Sequence, residues 1–294
     1  MDCKMSGQTH AGRVKEITAT SNPIVKEIKG LALKKNRDAE GLFIAEGLQL
    51  VTFALESGWR ARSLIYAKRM AGHEHLMQVA AKARAAGTDI LEVSEKVLGV
   101  IARRDNPQMV IGVFEQQWHD PLTIAKSAGK PGNVIVALDR VRDPGNLGTI
   151  IRTADAVGAS AVLLVGECTD PYSMEAVRAT MGSVFNVALS RIDAIDFDEF
   201  KAAFPGRIAG THLGGSVDYR SIAYGSDPWC LLMGNEQQGL PSILAEACDS
   251  LVHIPMAGRA ESLNLAIATG VMLFEMRRDH LTMGEIASDG GKQA

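Results

Sequence analysis

Residues 133–154 read NVIVALDRVRDPGNLGTIIRTA. The uninterrupted apolar run from Val134 to Leu138 is the pattern of a strand covered on both faces of a parallel sheet. Asp143-Pro144-Gly145-Asn146 is strong turn chemistry, and helical spacing follows over 147–157. Strand, polar loop and helix in succession form the unit from which α/β folds are assembled. The pattern recurs downstream. Further strands are predicted at 161–165, 207–210, 229–233 and 251–254, with helices at 175–182, 194–203 and 262–278. Ligands of open α/β sheets bind where strands end, so the loops after 138, 233 and 254 are the places to look for chemistry.

Toward the N-terminus, Pro and Gly bracket a polar stretch from Gln117-Trp118-His119-Asp120-Pro121 to Lys130-Pro131-Gly132. That composition reads as a linker. The predicted organisation is therefore a first domain at 1–116, a linker at 117–132, a second domain at 133–281 and a flexible, Gly/Ser/Asp-rich tail at 282–294. In the first domain, strands are expected at 42–45, 64–66 and 108–114. Helices are expected at 47–57, at 73–86 and after Ser94, which together make a small α/β module. Ahead of it, Ile24, Ile28 and Leu31 share a helical face while Lys26, Lys29, Lys34, Lys35 and Arg37 crowd the remainder. Such a basic run is either a solvated face or a phosphate-contacting one.

Composition bounds the class. The 294 residues are 46% hydrophobic and 22% charged, which describes a soluble globular chain of one large or two modest domains. The net charge of −3 argues mildly against nucleic acid. It is not evenly spread, however. Residues 1–118 hold 17 Lys/Arg against 13 Asp/Glu, a net of +4, leaving −7 for residues 119–294. Cys3, Cys168, Cys230 and Cys248 form no C-x-x-C pair and read as small buried residues plus one tail thiol, in a reducing cytoplasm. The N-terminus lacks the apolar stretch of a signal peptide, and no apolar run reaches membrane length. His73-Glu74-His75 reads as a solvated helix start rather than a metal site.

Each of the three loops has a functional and a plain reading. In the first, Asn146 and Gly148 leave little bulk over backbone amides, which suits a polar or anionic ligand. Arg152 follows about one and a half turns after Asn146, near a helix start, where the helix dipole favours acids. Pairing with Asp143 or Asp155 is its plain alternative. The second loop, Gly234-Asn235-Glu236-Gln237-Gln238-Gly239-Leu240, superficially resembles a phosphate loop, but Leu240 stands where a Lys is required. Glu236 is either a neighbour of a helix start or a site carboxylate. In the third, Ser262 and Asn264 flank Leu263; helix capping explains one of the two short polar side chains and not both.

Together the three loops resemble the three motifs of the SpoU/TrmH family of RNA 2′-O-ribose methyltransferases, in the SPOUT superfamily. Asp143-Pro144-Gly145-Asn146-Leu147-Gly148 with Arg152-Thr153-Ala154 is similar to the first motif. Met233-Gly234-Asn235-Glu236 with Gly239-Leu240 is similar to the second, and Ile254-Pro255-Met256 with Ser262-Leu263-Asn264 to the third. The stretch from Ser21 to Gly47 resembles the substrate-binding domain, related to a ribosomal-protein fold, that many members carry.

The resemblance implies an α/β fold of SPOUT type: a parallel sheet with a C-terminal trefoil knot, preceded by a small α/β substrate-binding domain. It implies S-adenosylmethionine as methyl donor, no metal, and a homodimer with each active site at the subunit interface. Arg152, Asn146, Glu236, Ser262 and Asn264 match catalytic positions. Gly234, Ile254, Leu263, Thr211 and Met256 are assigned to the donor, and Lys26, Lys34, Lys35 and Arg37 to RNA. A guanidinium of pKa above ~12 is a poor proton acceptor, so Arg152 is read as aligning the hydroxyl and stabilising developing alkoxide charge. Ribosomal RNA is favoured as substrate. The rivals are a transfer-RNA ribose methyltransferase and a non-catalytic RNA-binding or ribosome-assembly factor of the same fold. A nucleotide-dependent α/β enzyme is disfavoured by the missing Lys and by the lack of G-x-G-x-x-G after a strand.

Overall fold

A computed structural model describes residues 10–212 and 217–282. Cys3 and the tail from 283 onward lie outside the described residues. The described residues form two compact units, one within residues 1–117 together with 170–186 and one within residues 118–169 and 187–294.

The first unit runs β1 (Val14–Ile17), α1 (Pro23–Gly30), α2 (Lys34–Glu40), β2 (Leu42–Glu46), α3 (Leu48–Glu56), β3 (Ala61–Ala67), α4 (Glu74–Ala85), β4 (Asp89–Val93), α5 (Glu95–Ala102) and β5 (Val110–Glu115). Its sheet is ordered β1-β4-β3-β5-β2, with β5 antiparallel to both neighbours. Helix starts follow their sequence cues. Asn22 caps α1 with Pro23 at its first position, and Ser94 caps α5. His73 accepts the Leu76 amide at the head of α4, the helix-start role expected of it.

The second unit contains α6 (Pro121–Ser127), β6 (Val134–Asp139), α7 (Pro144–Ala156) and β7 (Ala161–Val165). After α8 (Met174–Thr180), which belongs to the first unit, come β8 (Ala188–Ile192), α9 (Phe197–Ala203), β9 (Arg207–Thr211), β10 (Val217–Asp218), β11 (Trp229–Met233), α10 (Ser242–Glu246), β12 (Ser250–His253) and α11 (Leu265–Met276). The sheet order is β10-β12-β9-β11-β6-β7-β8, and every pairing is parallel. Alternate strand residues face opposite layers. Ile135, Ala137, Leu163, Ile208, Cys230 and Leu232 pack with Ile124 of α6 and with Phe197 and Phe200 of α9. On the other side, α11 lies against α7 and β11. Burial raises the thiol pKa of Cys230 and pushes that of Cys168 up to about 11. Among the described residues no helix is long and apolar enough to cross a membrane.

Two parts of the expected organisation differ. The stretch 117–132 is not a bare linker, because α6 buries Ile124 and Ala125 in the second unit's core. Residues 170–186, expected within the second domain, instead complete the first. There Asp170 meets Arg37 in a salt bridge of 2.6 Å, both side chains being 4% exposed. Arg178 meets the buried Glu46 carboxylate at 2.6 Å. Tyr172 and Phe185 join the ring cluster of Phe43, Trp59 and Phe114, and the Trp59 indole donates to the Phe185 carbonyl at 2.8 Å.

A buried ion pair stripped of one partner leaves an uncompensated charge, at a cost of roughly 3–5 kcal/mol. Asp170→Ala is therefore expected to destabilise the first unit by that order, whereas replacing both partners together, as Arg37→Met with Asp170→Leu, costs far less. Urea unfolding of the three proteins separates the cases; equal losses for single and double variants contradict the buried pair.

Candidate active site

Parallel pairing brings the carboxyl ends of β6, β11, β9 and β12 to one edge of the sheet. Leu138 stands beside Met233, Leu232 beside Gly210, and Thr211 beside Val252. The loops that leave this edge carry the polar residues. Asp143 caps α7, its Oδ1 accepting the Asn146 amide at 2.6 Å. Asn235 and Gly239 bridge across a tight loop, in which Asn235 Oδ1 accepts the amides of Gln237 and Gln238 at 3.0 and 3.2 Å. Asn264 caps α11 by accepting the amides of Ala266 and Ile267.

These three loops meet through side chains. Asn264 Nδ2 donates to Asn146 Oδ1 at 3.0 Å, and Asn146 Nδ2 donates to Glu236 Oε1 at 3.4 Å. Asn264 thus both caps a helix and joins the loops, because its amide bonds in two directions at once. On one side of this chain lies a polar hollow of about 480 Å³ with Arg140, Arg142 and Gln238 on its wall. On the other is a cleft of about 710 Å³ lined by Thr211, Gly234, Ile254, Met256, Ser262 and Leu263. The larger cleft is of small-molecule size.

Glycine is needed at 234 by packing. A Cβ there would stand 2.5 Å from the Gly239 carbonyl carbon and 2.6 Å from the Leu240 nitrogen. The wall of the cleft holds one unsatisfied group, since His253 Nδ1 is buried without a hydrogen-bond partner among the described residues. Nearby, donation from Arg220 holds the Asp218 carboxyl down at about 2. At the loop after β6, hydrogen bonding to the buried Asp139 raises the pKa of the Arg140 guanidinium above its ordinary value.

Comparison with known proteins identifies the family. The SpoU rRNA Methylase family model matches residues 133–274, and an MRM3-like substrate binding domain model matches residues 22–112. The chain is 31% identical to the 23S rRNA (guanosine(2553)-2′-O)-methyltransferase RlmP of Bacillus subtilis, over 90% of this chain and 100% of that protein. It is 32% identical to the 23S rRNA (uridine(2479)-2′-O)-methyltransferase of Streptomyces viridochromogenes, over 86% and 88% of the two chains. The chain belongs to the SpoU rRNA methylase family. A solved structure of an AdoMet-bound rRNA methyltransferase from Sinorhizobium meliloti, 56% identical, matches with a TM-score of 0.86 over 92% of this chain and all of that one.

Of the residues singled out in the sequence for this SpoU fold, Glu236, Ser262 and Asn264 line the cleft, as do all five assigned to the donor, and Asn146 lines the polar hollow. Arg152 does not. It is exposed on α7 outside both hollows, and among the described residues its guanidinium has no ion pair or hydrogen bond, so the expected alternatives Asp143 and Asp155 do not hold it. Because α7 begins at Pro144, Arg152 lies beyond its second turn, and the dipole argument for its being out of place falls away. Lys26, Lys34 and Lys35 are exposed on α1 and α2, whereas Arg37 is buried on Asp170 and is unavailable to RNA. Sequence reasoning passed over Asp139, Arg140, Gln238 and His253. A charged pair directly after an apolar strand was the one available signal for the first two.

Gly234→Ala is expected to force the 235–239 loop away from β11. Overpacking of this kind costs about 1–3 kcal/mol, read as a lower urea midpoint; an unchanged midpoint would remove the close-approach argument.

Proposed function

We propose that this protein transfers a methyl group from S-adenosylmethionine to a ribose 2′-hydroxyl of ribosomal RNA. The observation that carries the reading is the chain Asn264–Asn146–Glu236, which joins the three motif loops beside a cleft of small-molecule size. The donor residues fit their assignment. Gly234 lets the 235–239 loop pack closely where the cleft begins, and among the described residues His253 Nδ1 is a buried polar atom in need of a partner. When bound, S-adenosylmethionine supplies a methyl group already activated by its positive sulfonium. Thr211, Gly234, Ile254, Met256 and Leu263 are assigned to hold it.

The chain's own task is to orient the nucleophile. Asn146, Glu236 and Asn264 form a pre-set polar surface, and Ser262 stands exposed at its margin. Preorganised dipoles of this kind act without reorganising during reaction. Arg152, exposed and uncommitted on the helix that bears Asn146, is assigned to align the ribose and offset developing alkoxide charge. Ribosomal RNA is favoured by the substrates named for the relatives and by the match of the first unit to a substrate-binding domain. Lys26, Lys34 and Lys35 are assigned to its phosphates. Membership of the family supports the knotted C-terminal path, and the free thiols of Cys168, Cys230 and Cys248 among the described residues suit a reducing cytoplasm.

The same reading makes the protein a homodimer. Ile267 and Phe274 of α11 lie two turns apart on one stripe and are 56% and 53% exposed. Large apolar side chains aligned this way mark an interaction surface. Phe274→Asp is expected to shift the protein to monomers in analytical ultracentrifugation; an unaltered dimer would place the interface elsewhere.

Incubation with radiolabelled donor and total RNA, followed by mapping of 2′-O-methyl groups, tests the activity. Arg152→Ala should lower methyl transfer by at least ~10²-fold while calorimetry finds donor binding unchanged. Loss of donor binding instead would sink the assignment, and methylation of transfer RNA alone would overturn the substrate class.

A further inference from the structure

The loops after β6 and β11 are fastened to each other by a residue outside the three motifs. Asp139 ends β6 and is 1% exposed, and the Arg140 guanidinium grips its carboxylate with Nε at 3.0 and 3.1 Å and Nη2 at 2.8 Å. The other guanidinium nitrogen, Nη1, donates to Gln238 Oε1 at 3.0 Å, and the Arg140 carbonyl accepts Asn235 Nδ2 at 2.9 Å. Arg140 therefore holds the 235–239 loop at two points, through its side chain and through its backbone. Glu236 lies between those two points. Arg140 also has φ +44, a left-handed conformation that side chains other than Gly, Asn and Asp seldom adopt. Non-glycine residues kept in this region are retained where surrounding contacts fix them.

We propose that Arg140 is a positioning residue that clamps the second motif loop to the first and so holds the Glu236 carboxylate against Asn146. The guanidinium is suited to this and a lone ammonium is not, because two opposed groups must be bonded at once from a rigid fork. The clamp is distinct from RNA contact. The Arg140 charge is already matched by Asp139, whereas Arg142, exposed at the same hollow, carries no ion pair among the described residues. The kinetic part of the inference rests on the proposed methyl transfer; the structural part does not.

Arg140→Lys keeps a cation beside Asp139 but cannot also reach Gln238, and Gln238→Ala cuts the same link from an exposed side chain. Both variants avoid leaving the Asp139 carboxylate without a counter-charge. Amide exchange of Gln237, Gln238 and Gly239 is expected to speed up about 10-fold in each single variant and no further in the double, as for residues acting through one contact. In the methyl-transfer assay kcat should fall about 10–100-fold, the scale of a misplacement near 1 Å, with KM for RNA and donor affinity unchanged. In a Glu236→Gln background, Arg140→Lys should add nothing. Unchanged amide exchange overturns the clamp whatever the activity, and so does full additivity of the two single variants. A raised KM with altered salt dependence at constant kcat would make Arg140 an RNA contact instead. Absence of methyl transfer in the wild-type protein would defeat the functional reading while the exchange experiment still decides the clamp.

Discussion

Parallel pairing of β6, β11, β9 and β12 is the constraint on which the rest of the second unit depends. Antiparallel neighbours would send their following loops to opposite edges; parallel ones send them to the same edge. Register then fixes the details. With Leu138 beside Met233, Asp139 and Gly234 leave the sheet side by side, and Arg140 is within reach of the loop that carries Glu236. A slip of one residue would turn Asp139 out of its buried position and direct β6's apolar set to the wrong layer. The apolar strands that build the core are thus also what brings three distant segments, near residues 146, 236 and 264, to one place.

Polar groups gathered at such an edge are costly unless they satisfy one another. Here they do so in a fixed order. Asp143 and Asn264 cap helices with one oxygen each, which spends their acceptors on backbone amides and sets their orientation. The remaining amide of Asn264 is then directed at Asn146, and that of Asn146 at Glu236. Asn235 is used in the same double manner, closing its own turn with one end and holding the Arg140 carbonyl with the other. Helix capping and site construction are one set of hydrogen bonds, so the cleft is ordered by the fold that surrounds it.

Much of this is legible in the sequence. Apolar runs bounded by turn residues mark β6, β7, β11 and β12, and Ser94 marks the start of α5, whereas α7 begins at Pro144, inside the stretch 143–146 that reads as a turn, because Asp143 caps the helix and proline suits its first position. The rest is hidden for identifiable reasons. Strands β4 and β8 alternate apolar with charged or polar residues in runs too short to stand out, and α2, Lys-Lys-Asn-Arg-Asp-Ala-Glu, has no apolar face. Arg37 reads as one more cation in a basic run because its partner, Asp170, is far away in the chain. The same long-range pairing draws residues 170–186 into the first unit, and no local pattern reports it. Arg140 is missed on similar grounds, since its meaning depends on Gln238, which only the folded sheet brings near.

Charge offers the sharper lesson. A net of −3 argues against a nucleic-acid partner only if charge acts as a sum. Electrostatic attraction to phosphate is screened within about 10 Å at 0.1 M salt, so the relevant quantity is local. On that scale the first unit presents Lys26, Lys34 and Lys35 on adjoining helices, while Arg37, which inflates the count, is neutralised by Asp170 in the interior. In the second unit the acidic excess has its own structural duties. Asp139 anchors Arg140, Asp143 caps α7, and Asp218 binds Arg220. Carboxylates committed in this way repel an approaching RNA far less than their number indicates, and Arg152 and Arg142 stay exposed and have no ion pair among the described residues. An acidic module can therefore work on a polyanion, provided its negative charges are bound within the fold and a few exposed cations are left free.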